Sequence, residues 1–361
     1  MLSFAELHNV QGIIAHIIKK HRSFLKPDEE ILDLCDQLLY STVILSTTKK
    51  YSYDHLITML DNEKIPRVLM KGIVIRDYYP IPDFRLFTDI EFLIKKDDRE
   101  KSNKLMVHLG YHLRSSRKEF RCYQKQPEYY VFYTQIQCGA SGKIKQFLEN
   151  AWDHAEPDGG YSYRFAPEFH LIYLLIYLAR RLLSCNAVVR MLLDIALLIR
   201  YEDLDWEDIR KTLVEIEFTV FASSVFSLCS RWFGCKTAAL TDIPEQTLDE
   251  LEAFLLVSGT HAMKYIPGAE CNLTDDSSLE KSRYTAVIEL IFPPYRSISL
   301  SYPAVKAFPP LLPVVWFYRG IKGLLFKRKS CLAALRSISD KSADSIAHQS
   351  LFEKIGINSK F

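Results

Sequence analysis

Residues 69–94 read LMKGIVIRDYYPIPDFRLFTDIEFLI, and the reading of this stretch decides the fold. A short apolar run, RVLM at 67–70, breaks at Lys71-Gly72 into a helix over about 72–79, and a second strand, DIEFLI, follows at 89–94. In an extended chain residues i and i+2 share a face, so the Asp89 and Glu91 carboxylates converge at a spacing that suits one or two hard divalent cations such as Mg²⁺. The Lys71-Gly72 turn, opening a helix, would offer backbone N–H groups and a positive dipole end to a polyphosphate, with Lys71 or Arg85 adding charge. Metal-assisted phosphoryl or nucleotidyl transfer uses such parts. Taken alone, Asp-x-Glu is also what the solvated face of an edge strand shows.

Outward from this stretch the periodicity changes twice. Residues 1–64 read as a lead-in of three helices: apolar positions recur at three- and four-residue spacing through Leu7, Val10, Ile13, Ile14, Ile17 and Ile18, through Ile31, Leu32, Leu34, Leu38 and Leu39 after Pro27-Asp28, and from Tyr53 to Leu60. Residues 65–140 carry the strand-like runs, which continue as YHLRSS (111–116), EFRCYQ (119–124) and YYVFYTQIQ (129–137), with a helix over about 97–109 between them. A mixed sheet is implied. From Lys143 almost everything reads as helical, giving a helical domain over 141–265; in 266–361 a proline-rich stretch between Pro293 and Pro313 runs extended before a last helix. The expected class is α+β, a small mixed sheet between N-terminal helices and a large C-terminal helical domain.

Composition narrows the function classes. At 361 residues, 48% hydrophobic and 25% charged, the chain can bury a sizeable core and is not a disordered tail or a small stapled scaffold. A formal net charge of +2 gives no strong nucleic-acid signal. The eight cysteines show no Cys-x-x-Cys pair and no zinc-ligand spacing, and read as reduced thiols in a cytoplasmic protein. The N-terminal stripe lacks a basic n-region and a small-residue cleavage site, and the apolar stretch from Tyr173 to Ile199 is interrupted by Arg180, Arg181, Arg190 and Asp194, so neither a signal peptide nor a transmembrane helix is expected. The run Cys138 to Ile144 lacks the first glycine and the hydroxyl residue of a phosphate loop. A basic cluster, Arg319, Lys322, Lys327, Arg328 and Lys329, beside Trp316, Phe317, Tyr318 and Phe326, reads as a solvated helix end or as a contact with an anionic membrane surface.

The order Lys71, Gly72, Tyr79, Pro80, Pro82, Arg85, Asp89, Glu91 resembles the N-terminal signature of an uncharacterised nucleotidyltransferase family within the DNA polymerase beta-like superfamily. FLENAWDHA, APEFHLIYLLIYLARRLL, VVRMLLDIALLI and LDWEDIRKTL resemble its helical half, and LIFPPYRSISLSYPAVKAFPPLLPVVWFYRGIKGLL resembles the C-terminal segment of many bacterial members. The resemblance implies a nucleotidyltransferase-type core and an enzyme that moves an NMP group from an NTP such as ATP to a hydroxyl of an unknown acceptor. It also implies that Asp89 and Glu91 hold Mg²⁺, with a two-metal site possible, and that Lys71, Gly72, Arg85 and Thr88 bind the nucleotide. Arg180, Arg181 and Arg190, on the helices beyond, are candidates to meet substrate across the cleft; the structural alternative is a partly buried ion network with Asp194, the expected partner of Arg190.

Departures from that pattern point to an alternative. The superfamily needs a third carboxylate on a neighbouring strand, and its counterpart here is Val131-Phe132-Tyr133-Thr134, with Phe132 where the acid is expected and Glu128 or Glu119 as substitutes only after a register shift. A His-x-x-Lys-His run expected in the helical half reads Tyr177-Leu-Ala-Arg180-Arg181, and a glycine-containing turn reads Asn186-Ala-Val. The alternative is a catalytically degenerate member that binds nucleotide or a partner without turnover.

Overall fold

A computed structural model describes residues 2–261, 349–357 and 361, apart from Phe87, Thr88, Pro127, Gln137, Cys138, Cys185 and Ala239. Thr88, the proline-rich segment and the C-terminal basic cluster therefore lie outside the described residues.

Four helices lead in: α1 (Leu2–Leu7), α2 (Gln11–Lys20), α3 (Arg22–Leu25) and α4 (Glu29–Asn62). The two helices expected over 31–60 are one, because residues 29–62 contain neither glycine nor proline and the Ser/Thr-rich middle does not break the backbone. Glu29 and Glu30 in its first turn complement the helix dipole. The first apolar stripe is instead split at Asn9, whose φ of 57° an asparagine tolerates better than most residues.

The sheet contains β1 (Arg67–Leu69), β2 (Ile90–Ile94), β3 (His112–Ser116), β4 (Phe120–Lys125), β5 (Glu128–Tyr133), β6 (Ala155–Pro157) and β7 (Ser162–Phe165). Their spatial order is β3-β4-β5-β2-β1-β7-β6. It is mixed: β2 runs antiparallel to β1 and parallel to β5, and β1 runs parallel to β7. The last two strands went unrecognised in the reading of a helical second half; each is short, and their hairpin turns at Gly159 and Gly160, with φ of 90° and 57°.

β2 is buried at all five positions, as a central strand covered on both faces must be. On one face Ile90, Phe92 and Ile94 join Tyr130 and Phe132 of β5 against Leu56 and Leu60 of α4 and Leu105 and Met106 of α6 (Arg99–His108). On the other, Leu93 and Val68 join the large helical core. That core is built on α8 (Pro167–Leu183) and α9 (Val189–Tyr201), which follow α5 (Gly72–Ile75) and α7 (Gly142–Glu149), and continues through α10 (Trp206–Glu215), α11 (Thr219–Phe233) and α12 (Glu245–His261). Phe352, from the described stretch near the C-terminus, packs edge-on against Phe254 of α12 at 5.4 Å. The class is α+β, with a mixed seven-stranded sheet between helical layers.

Two buried histidines tie this core to pH. His170 of α8 is held neutral, its pKa pushed down to about 4 chiefly by burial, with the nearby Asp194 charge opposing. Burial also lowers His8, which accepts from the Val189 amide at 3.2 Å and lies 3.1 Å from the Leu256 carbonyl. Between pH 6.5 and 4 the unfolded chain binds the His170 proton and the folded chain does not, so the stabilisation present above pH 6.5 is lost as pH falls through that window. The expected loss from His170 is roughly 3 kcal/mol, following the linkage of about 1.4 kcal/mol per pKa unit. Urea unfolding of wild type and His170→Gln at pH 7 and pH 4.5 checks it: the variant's pH slope should be shallower.

Candidate active site

The chain reaches the site through a strained turn. After β1 the backbone passes Lys71 at φ 55°, ψ −127°, a conformation that a non-glycine residue keeps only where surrounding contacts hold it. A carboxylate and an aromatic face hold its side chain: the Lys71 ammonium lies 2.9 Å from Glu91 Oε1 and 2.8 Å from Oε2, and 3.6 Å from the centroid of the Tyr177 ring. The helix that follows, α5, is a single turn of four residues, too short for the extended dipole expected at the Lys71-Gly72 turn.

Gly72 is needed for a different reason. A Cβ there would stand 2.6–2.9 Å from the Arg85 guanidinium, which lies directly over it. Arg85 is buried at the lining of the cavity described below and holds three hydrogen bonds: Nε and Nη2 donate to Asp194 Oδ1 and Oδ2 at 2.8 and 2.7 Å, and Nη1 donates to the Leu86 carbonyl at 2.6 Å. The Tyr79 hydroxyl adds a 2.7 Å hydrogen bond to Asp194 Oδ1. Asp194 therefore pairs with Arg85, not with Arg190 as helical spacing suggested. The segment that carries Asp89 is pinned to α9 by this buried bidentate pair.

Asp89, Glu91, Lys71, Gly72, Arg190 and Tyr177 line one cavity of about 550 Å³ counting its open mouth, between β2 and the helices α8 and α9. Glu91 is buried and Asp89 half-buried. Arg190 donates to the Leu86 carbonyl at 2.7 Å, and burial together with the neighbouring Arg85 charge lowers its pKa, so an anion in the cavity would relieve it. Arg181 is buried 5.9 Å from the Tyr177 ring, behind the cavity wall. Arg180 lies elsewhere, against the loop after β5, where a Cβ on Gly139 would collide with its guanidinium.

The third-carboxylate position moves by one residue. Glu91 pairs in register with Val131, and Phe92 pairs with Phe132. Phe132 points to the opposite face, its ring 5.0 Å from that of Phe92 in the core against α4. The neighbour of Glu91 on the cavity face is thus Val131, buried with Phe120 and Cys122, and it too carries no acid. Glu128 does not substitute: it starts β5 on the Phe132 face and accepts from the Ser52 and Tyr111 hydroxyls. Glu119 precedes β4 and meets Thr134 through the backbone, three residues past Val131. Among the described residues no group of three or more His, Cys, Asp or Glu is placed to share a metal ion.

Sequence reasoning missed Tyr177, whose apolar-helix context hides its position over Lys71, and Lys49 of α4. Lys49 is buried; desolvation lowers its pKa, while the charge of Asp89, and then that of Glu128, opposes the shift. Nothing in the local sequence says which face of a 34-residue helix turns to the site.

No curated protein and no solved structure matches the chain. Among the described residues no helix is long and apolar enough to cross a membrane. A family model described as an uncharacterised nucleotidyltransferase matches residues 1–234, which takes in the whole sheet, the Asp89/Glu91 strand and the helices α8 and α9, and stops short of the C-terminal segment. With about two thirds of its length so matched, the chain belongs to the uncharacterised nucleotidyltransferase family.

Proposed function

We propose that the protein is a Mg²⁺-dependent nucleotidyltransferase that moves an NMP group from an NTP to a hydroxyl of its acceptor. The observation that carries this reading is the convergence, in one cavity, of the Asp89/Glu91 pair with the cations Lys71 and Arg190 drawn from separate elements. The donor set fits a hard divalent ion: two carboxylates leave one strand face, and both oxygens of Glu91 already hold a positive charge, the Lys71 ammonium. Bound between Asp89 and Glu91, Mg²⁺ would offset the negative charge on the phosphate oxygens. Lys71 and Arg190 donate to those oxygens and orient the triphosphate, α8 and α9 wall the cavity from solvent, and in-line attack by the acceptor hydroxyl releases pyrophosphate. Calorimetric titration with a non-hydrolysable ATP analogue should show binding that appears with Mg²⁺ and vanishes with EDTA. Metal-independent binding of unchanged affinity would remove the reading.

Val131 favours a second reading, binding without turnover. A valine beside Glu91 can neither ligate a metal nor take the proton of an attacking hydroxyl. Under that reading the same titration succeeds while pyrophosphate release from the hydrolysable nucleotide stays at the rate without protein.

A further inference from the structure

Resting on the nucleotide site proposed above, we infer that Tyr177 is a positioning residue: its ring is a second seat that keeps the Lys71 ammonium inside the cavity, ready for a phosphate, when Glu91 is taken by a metal ion. Lys71 sits on a turn whose backbone is strained, at φ 55°, which directs its side chain across the sheet toward α8. There the ammonium lies against the Glu91 carboxylate at 2.8–2.9 Å and over the face of Tyr177 at 3.6 Å from the ring centroid, with the Tyr173 ring further off at 5.9 Å. A cation arriving at Glu91 repels the ammonium and competes for the same oxygens. The aromatic face does not change charge, and it attracts the ammonium through the ring quadrupole. Lys71 is then displaced by a short swing within the cavity, where its N–H groups meet phosphate oxygens, instead of into solvent, from which its return to a phosphate would cost the side-chain entropy of ordering it again. Arg181 stands 5.9 Å from this ring, the outer edge of such contacts.

The property required of residue 177 is an aromatic face, not the hydroxyl, and this makes the inference testable in the full chain with Mg²⁺ and a non-hydrolysable ATP analogue. Tyr177→Phe should hold the analogue within about twofold of wild type, whereas Tyr177→Leu should bind about five- to tenfold more weakly, the range of a desolvated cation–π contact. In a Lys71→Gln background the change from Tyr to Leu should have no further effect. An independent signature needs no nucleotide: the ε-methylene protons of Lys71, in ¹³C-lysine-labelled protein, should be shifted upfield by the ring in wild type and in Tyr177→Phe, and should return to the random-coil position in Tyr177→Leu. Equal weakening by Phe and Leu, a Leu effect that persists without Lys71, or an unshifted Lys71 methylene in wild type would each overturn the inference. If wild type binds no Mg²⁺-nucleotide at all, the site assignment itself fails, and the methylene shift still decides whether Tyr177 holds Lys71.

Discussion

The Asp89→Ala variant is expected to lose about 100-fold or more of its affinity for Mg²⁺-nucleotide, the scale of removing one of two charged oxygen ligands from a hard-cation site. Its stability should move little, because two effects of opposite sign meet at this half-buried position: removing the carboxylate relieves Glu91 of a like charge and takes from the buried Lys49 the charge that opposes its desolvation. Calorimetry with Mg²⁺ and a non-hydrolysable nucleotide, run beside a urea denaturation curve, separates the two effects. An unchanged affinity would show that the cavity binds phosphate without these carboxylates. An unchanged denaturation midpoint with lost binding is the expected pair of outcomes, and it differs from what a collapse of the site would give.

Asp194→Ala should do the opposite, lowering stability by about 3 to 5 kcal/mol through an uncompensated buried charge. The Arg85 guanidinium has its Nε and Nη2 hydrogen bonds to this carboxylate and is buried at the inner lining of the cavity, so removing the anion leaves a cation with little access to solvent and no counter-charge in this pair. Tyr79 loses its acceptor at the same time. Burial and the Asp194 charge, with the Tyr79–Asp194 hydrogen bond, also push the Tyr79 hydroxyl far above its ordinary pKa, so it stays a donor at all working pH. Replacing both partners with apolar residues, Arg85→Met with Asp194→Leu, should recover most of the loss, because no charge then remains buried. Urea unfolding of the three chains measures this. A single variant as stable as wild type would mean that water enters the pair, and that Arg85 remains available to a ligand.

These two outcomes rest on different kinds of information in the chain. The strand identity of residues 90–94, which carries Glu91 with Asp89 just before it, and the helical character of residues 167–201 follow from local periodicity, and local periodicity survives folding because it is set by backbone geometry. The employment of Arg85 does not follow from it. Asp194 is 109 residues away, and only the packing of α9 against the segment after α5 brings the two together; the spacing of Asp194 one turn beyond Arg190 suggested a different partner. Register was equally out of reach: a shift of one residue turns every side chain to the other face, and it decides that Val131, not Phe132, stands beside Glu91. The short strands β6 and β7 carry too few residues to show a period and gain their identity by pairing with β1 and with each other. Local pattern is enough for an α+β chain with Glu91 on a strand, Asp89 just ahead of it and a lysine-glycine turn earlier in the chain. The cations that share their cavity are set only by tertiary packing, because side chains from the turn after β1, from β2 and its entry, and from α8 and α9 meet through burial of apolar faces whose partners no local pattern names.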